Sequence, residues 1–437
     1  LATILFYPRA IKCPIGCLYC FEDPSFNNSV LEKYNKHKMA ATVEDLVKKF
    51  SEKQESVQVI LHGGEVLGLP VKDLDFFLSE LKKYSDRPDF QTSLGLPLTS
   101  EHIRLIKKYN ASPGISVDGP SELNRLRGPR DPVANEKFQN TVTENIRKLK
   151  DNSINFGCIT ILSKANASPD KIDSLIKWCV NNTHGGRFNP LFVPSHISGS
   201  EIAKYALTPK ELTNAFLKLL DATIKYPGFD FRLFEEIKSA LIGDFKTSCA
   251  FSRCDYLTTT CNTVLPDGNV ARCDRCFQDG YYYMSQKPTG SRWKALEQTE
   301  CKGCRYFVAC AGGCPSEGVN GDFRSKTLYC ESYFAMFEAV ENILRKLFPG
   351  IFLTIDIHNY YEEYVLTGKR FNPFVRHDGF FGDTANSMNN NLRLLGWTPE
   401  RELEENQQRE LREETGQKRN KHGFSHMDSN TGCKKCH

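Results

Sequence analysis

Along residues 1–195 the spacing of apolar positions switches repeatedly between two periods. Short runs rich in β-branched and aromatic residues predict strands at Ala2–Tyr7, Val57–His62, Phe90–Leu94, Ser112–Val117, Asn155–Leu162 and Phe188–Val193. Between them, apolar residues recur at helical spacing over Val43–Lys53, Leu74–Tyr84, Glu101–Tyr109, Asn135–Lys150 and Asp170–Asn181. Strict alternation of this kind requires a parallel sheet covered by helices. A closed TIM barrel needs eight strand–helix units. Six units predict an α/β fold, a partial (β/α)6 TIM-like barrel open at one side, with room there for a large substrate.

The pattern changes after the barrel. Thr208 and Pro209 read as the cap and first-turn residue of a pair of helices over 208–245. Residues 246–335 are rich in Cys and Gly and nearly aperiodic, which predicts a small unit held by metal rather than by a large apolar core. An amphipathic helix is predicted at Ala335–Leu347. Glu400–Lys421, with pairs such as Glu405–Arg409, predicts a solvated helix in a tail that is otherwise unreadable. The resulting division is a barrel at 1–205, a helical connector at 206–245, a Cys-rich domain at 246–335, and a C-terminal helix and extension, partly disordered, at 336–437.

Composition narrows the class. Of 437 residues, 40% are hydrophobic and 25% charged, as in ordinary globular proteins. No run of eighteen apolar residues and no signal peptide is present, so the sequence predicts no membrane partner and a cytoplasmic location. A formal charge of +4 argues against a nucleic-acid partner. Seventeen cysteines would suggest disulfides in a small secreted chain, but this one is long enough to build a core. Thirteen of them fall into two clusters, at 13–20 and 249–330, and clustering points to metal.

The first cluster is Cys13-Pro14-Ile15-Gly16-Cys17-Leu18-Tyr19-Cys20. Three thiolates in eight residues can hold three irons of a 4Fe–4S cluster and leave the fourth iron open to a small molecule. The alternative is a zinc site, but zinc usually takes four protein ligands in paired clips, and no fourth lies nearby. The C-x3-C-x2-C spacing with an aromatic residue before the last cysteine resembles the signature of radical S-adenosylmethionine (SAM) enzymes. His62-Gly63-Gly64-Glu65-Val66 after the second strand resembles that family's "GGEP" motif, with Val66 in place of proline. Gly63 and Gly64 let backbone approach a ligand, and Glu65 offers a negative charge to the SAM amino group. Ser116-Val117-Asp118-Gly119-Pro120 is similar to the family's "S-x-D-G-P" run, implying a SAM contact at Ser116 and a place for Asp118 in the same pocket. Arg127-Gly128 is similar to "R-Y-R-G" and implies a partner for the SAM carboxylate.

The second cluster contains Cys301-x2-Cys304-x5-Cys310-x3-Cys314 and then Cys330. It resembles the SPASM domain, which carries two auxiliary 4Fe–4S clusters in peptide-modifying radical SAM enzymes. The resemblance assigns Cys301, Cys304, Cys310 and Cys330 to one cluster and Cys254, Cys261, Cys273 and Cys314 to the other. Spacing ahead of Cys273 departs from the family's, and Cys249 and Cys276 stand nearby as substitutes. Asp274 occupies the place of a general base proposed in anaerobic sulfatase-maturating relatives; a turn aspartate is the alternative. Cys158 and Cys179 fall in apolar patterns and read as core residues. The terminal Cys433-Lys434-Lys435-Cys436-His437 matches a haem-attachment spacing formally, but reads as tail.

The resemblance implies three 4Fe–4S clusters, SAM, an electron donor such as flavodoxin or ferredoxin, and a peptide or protein substrate. The expected reaction is reductive SAM cleavage to a 5′-deoxyadenosyl radical, which abstracts hydrogen from a ribosomal peptide and leads to a thioether or carbon–carbon crosslink. Oxidation of a sulfatase Cys or Ser to formylglycine is the second expectation. A non-catalytic zinc or electron-transfer protein is the third, and colour separates it, since iron–sulfur protein is brown and zinc protein colourless. Only twelve residues precede Cys13, so peptide recognition is expected at the barrel opening, in the C-terminal extension or on a separate protein.

Overall fold

The computed structural model describes residues 2–8, 13–20, 34–52, 57–193, 201–243, 250–251, 261–271, 273, 275, 292–322, 324–351 and 353–357. The helix expected at Glu400–Lys421, the terminal Cys433/Cys436/His437 tail, and Cys249, Cys254, Asp274 and Cys276 lie outside these residues.

Six parallel strands lie side by side in chain order: β1 (Ala2–Phe6), β2 (Val57–Leu61), β3 (Asp89–Thr92), β4 (Ser112–Ser116), β5 (Gly157–Leu162) and β6 (Gly185–Pro190). Helices α1 (Lys36–Glu52), α2 (Val71–Lys82), α3 (Ser100–Tyr109), α4 (Pro132–Asp151) and α5 (Ile172–Asn182) connect them. Period-two alternation sets the two faces of the sheet. On β1, Phe6 meets Phe77 of α2 edge-on at 5.4 Å between ring centroids, whereas Leu5 and the following Tyr7 pack on the other face with Ile60 and Cys261. Helix starts follow capping chemistry. Asp131 accepts from the Ala134 amide ahead of Pro132, and Thr99 and Thr208 form capping boxes with His102 and Glu211, each cap being worth about 1 kcal/mol.

Strand β6 begins three residues earlier than the sequence predicts, because it runs through Gly185 and Gly186. These read as breakers, yet the packing demands them: a Cβ on Gly185 would sit 2.1 Å from the Asp230 carbonyl oxygen, and one on Gly186 2.2 Å from that of Cys158. The sheet also grows at both edges. β7 (Asp230–Phe231), between α6 (Pro209–Lys225) and α7 (Arg232–Leu241), pairs in parallel with β6. β8 (Cys261–Val264) pairs in parallel with β1, and β9 (Val270–Ala271) antiparallel with β8. The order β7-β6-β5-β4-β3-β2-β1-β8-β9 leaves the sheet open among the described residues, a partial barrel.

Three further helices, α8 (Arg292–Gln298), α9 (Phe307–Cys310) and α10 (Cys330–Leu347), complete the described chain. α10 packs on α6 and α7. Tyr306, Ala309, Tyr329, Tyr333, Met336 and Phe337 join the same apolar cluster as Ile4, Phe6 and Leu61 of the barrel. The expectation that metal rather than an apolar core holds 246–335 is therefore too narrow: strand pairing and a shared core tie its described part to the barrel. No helix among the described residues is long and apolar enough to cross a membrane.

Candidate active site at the carboxyl ends of the strands

The loop after β1 carries Cys13, Cys17 and Cys20. Gly16 turns it with φ +69°, and the Cys20 amide donates to the Cys17 carbonyl at 3.1 Å. Burial pushes the Cys13 thiol up to about 12, with the Glu65 carboxylate and Cys20 adding to the rise. Cys17 is raised first by burial, then by Cys20, Cys13 and Asp118, against the opposing charge of Arg127. The three cysteines thus share one short loop after β1.

Behind this loop, Gly63 and Gly64 hold φ values of +89° and +58°. A Cβ on Gly63 would fall 2.5 Å from the Tyr7 ring, so only glycine fits there. Glu65 is fully buried. Its Oε1 accepts from the Leu67 amide at 3.1 Å and the Thr92 hydroxyl at 2.5 Å. Its Oε2 accepts from the Ser93 amide at 2.9 Å and from the Ser93 hydroxyl. The carboxylate proposed by sequence for the SAM amino group is thus engaged on both oxygens by its own chain, strapping the loop after β2 to the end of β3. Ser116 accepts from Gln91 Nε2 at 2.8 Å.

Asp118 and Arg127 come together, but with each other. Arg127 Nη2 donates to Asp118 Oδ1 at 2.9 Å, and both residues are buried. The Tyr19 hydroxyl donates to Asp118 Oδ2 at 2.5 Å, and the guanidinium lies 5.3 Å from the centre of the Tyr19 ring. Burial opposes the Arg127 charge, yet Asp118, Tyr19 and Cys17 hold its pKa above the ordinary value. The Leu18 amide also donates to the Leu126 carbonyl at 3.0 Å. In place of a free arginine awaiting a carboxylate, the structure has a buried ion pair that pins the cysteine loop to the loop after β4. Arg127 Nε is buried without a partner.

The sequence assigns His62 no role beyond its place before Gly63. Its ring stacks on Tyr7 with centroids 5.6 Å apart, its Nδ1 is buried without a partner, and burial lowers its pKa to about 4. It is a neutral imidazole at the end of β2, and its place directly before Gly63 was the available signal.

The second cysteine set separates into two groups. Cys310 is raised by burial and then by Cys304 and Cys301, and the Cys304 amide donates to the Cys301 carbonyl at 3.0 Å. Cys314 is raised by burial, then by Glu317, and by Cys273. Cys261 begins β8 and packs by Leu5 and Tyr7, and Cys330 opens α10. Cys158 and Cys179 are buried in the core. Among the described residues, no three His, Cys, Asp or Glu side chains meet as a single metal ion requires. A cluster instead places each thiolate on a different iron, so its ligands ring a cage. The groupings 13/17/20, 301/304/310 and 273/314 are compatible in residue type with such cages.

An open parallel barrel with a three-cysteine loop after its first strand and a glycine loop after its second is the arrangement the radical SAM resemblance implies. Residues 7–179 match the family model of the Radical SAM superfamily, and the chain is an enzyme carrying that domain. It is similar to the serine-type anaerobic sulfatase-maturating enzyme of Bacteroides thetaiotaomicron, 22% identical over 379 residues that span 77% of this chain and 89% of the relative. It is also similar to the cysteine-type enzyme of Clostridium perfringens, 22% identical over 374 residues, 77% of this chain and 95% of that one. Among solved structures, anSMEcpe with bound AdoMet matches with a TM-score of 0.61 at 18% identity, covering 82% of this chain and 98% of that one. anSMEcpe with bound AdoMet and the Cp18Cys peptide matches with the same score, covering 79% and 99%. These structures share the fold.

Proposed function

We propose that the chain is a maturase that oxidises one side chain of a peptide or protein segment held at the open mouth of the barrel. The observation that carries this reading is the placement of the three-cysteine loop after β1 next to the glycine loop after β2, the His62 amide donating to the Phe6 carbonyl at 2.8 Å. The second cysteine set is tied to the same sheet, with β8 parallel to β1 and Arg275, two residues past Cys273, 5.3 Å from the centre of the Phe192 ring just beyond β6. Cys13, Cys17 and Cys20 would hold a 4Fe–4S cluster that, with SAM, would supply the one-electron chemistry for hydrogen abstraction. Cys301/Cys304/Cys310/Cys330 and Cys254/Cys261/Cys273/Cys314 would hold two auxiliary clusters, which would supply an acceptor for the electron left on the substrate.

The chain's own residues position and exclude. Gly63 and Gly64 admit SAM against backbone, the Glu65 strap and the Tyr19–Asp118–Arg127 lock fix the two loops facing it, and Arg127 Nε and the Ser116 hydroxyl are donors offered to its polar groups. Asp274 takes the substrate's proton. Similarity to serine- and cysteine-type sulfatase-maturating enzymes favours oxidation of a Cys or Ser to an aldehyde; a peptide crosslink is the second reading. A flavodoxin- or ferredoxin-like donor, a cytoplasmic setting and a separate recognition protein belong to the same proposal. The test is anaerobic incubation with SAM, reductant and peptides carrying a single Cys or Ser, followed by hydrazide trapping. Trapped aldehyde supports the first reading, and loss of hydrogen without aldehyde the second. SAM cleavage that leaves every peptide unchanged counts against both.

A further inference from the structure

Between Cys310 and Cys314 the backbone takes three left-handed residues in a row: Ala311, Gly312 and Gly313, with φ of +50°, +79° and +72°. Such a run turns successive carbonyls outward, and these need partners once buried. One side chain meets all three. Arg292, at the start of α8 and 3% exposed, donates from Nη1 to the Ala311 and Gly313 carbonyls at 3.3 Å each, and from Nη2 to Gly312 at 3.3 Å and Ser325 at 2.8 Å. A Cβ on Gly312 would fall 2.4 Å from Leu296 of the same helix, and one on Gly313 2.6 Å from Thr327. Helix α8 and this bridge are therefore fitted to each other, with the guanidinium as the fastening.

The bridge joins the two cysteine groups. The proposed function assigns Cys310 to one auxiliary cluster and Cys314 to the other. We propose that Arg292 is a positioning residue for both auxiliary clusters: by holding carbonyls 311–313 it fixes the ligand of one cluster relative to the ligand of the other, and its charge sets their potentials. The proposal rests on the two-auxiliary-cluster reading above. The charge has a definite sign of effect. Reduction adds an electron to a site already made negative by thiolates, and a nearby guanidinium favours that step.

The test compares native protein with R292K and R292Q, all reconstituted anaerobically, by iron content, iron release to a chelator and EPR-monitored redox titration. R292K keeps the charge and loses the fork. It is expected to titrate near native potentials and to release auxiliary iron faster. R292Q lacks the charge, so its auxiliary signals are expected at more negative potentials, with the SAM-binding cluster and 5′-deoxyadenosine formation unaltered. If R292Q is insoluble, R292K decides: faster release from the auxiliary sites alone supports the proposal, and native release overturns it. Native potentials and release in R292Q overturn it too, as does loss of iron from all sites alike. Native protein with about four irons in place of about twelve would sink the cluster reading itself, a failure distinct from that of Arg292.

Discussion

Replacing Glu65 with Gln separates a strap from a ligand. The carboxylate accepts four hydrogen bonds, two at each oxygen, and each oxygen serves one backbone amide and one hydroxyl. In the amide, one oxygen becomes an NH2 group. The Thr92 or Ser93 hydroxyl can rotate to accept from it, but the Leu67 or Ser93 backbone N–H cannot. Whichever way the amide turns, one buried N–H loses its acceptor, at a cost of about 1–3 kcal/mol. Losing the charge on the remaining bonds adds about 1 kcal/mol. The loop holding Gly63 and Gly64 then loosens from β3. The assay is anaerobic thermal unfolding of reconstituted protein at one scan rate, paired with SAM titration calorimetry. The expected result is a midpoint lowered by several degrees, at about 2–4 °C per kcal/mol, together with weaker SAM binding. An unchanged midpoint with a ten- to hundredfold loss of SAM affinity would refute the strap and make Glu65 a direct ligand.

Gly63→Ala forces a methyl to within 2.5 Å of the Tyr7 ring at a φ of +89°, so soluble yield or the unfolding midpoint is expected to fall, by about 1–3 kcal/mol or more; native-like melting would show that Tyr7 moves aside freely. Replacing Cys301 and Cys304 with Ala is expected to remove about four irons, reduce solubility and stop peptide oxidation, while soluble protein still makes 5′-deoxyadenosine; full product formation would make the second auxiliary cluster purely structural.

Much of the barrel was legible because its strands and helices alternate in period and each buries one face. The reading failed where the reason for a residue is non-local. Gly185 and Gly186 look like a strand's end, yet they are the only residues that let β6 lie against Asp230 and Cys158. β7 and β9 are two residues long, too short to carry a period, and β8 pairs with β1 across most of the barrel's sequence. At the site, cysteine spacing and the Gly63-Gly64 pair announced themselves, since tight spacing and backbone approach are written in adjacent residues. What Asp118 and Arg127 touch was not, because a sequence does not say whether two charges meet a ligand or one another. Arg292 stood out in no motif; its role exists only once α8 folds over the bridge from Cys310 to Cys314.

The central claim is that Cys13, Cys17 and Cys20 build the radical-generating centre. It is tested most directly by measuring 5′-deoxyadenosine and iron in anaerobically reconstituted native protein and in the Cys13/Cys17/Cys20 triple alanine variant, with SAM and a strong reductant. The account predicts 5′-deoxyadenosine from the native chain, and from the variant none, with about four fewer irons. A variant that still cleaves SAM would contradict it.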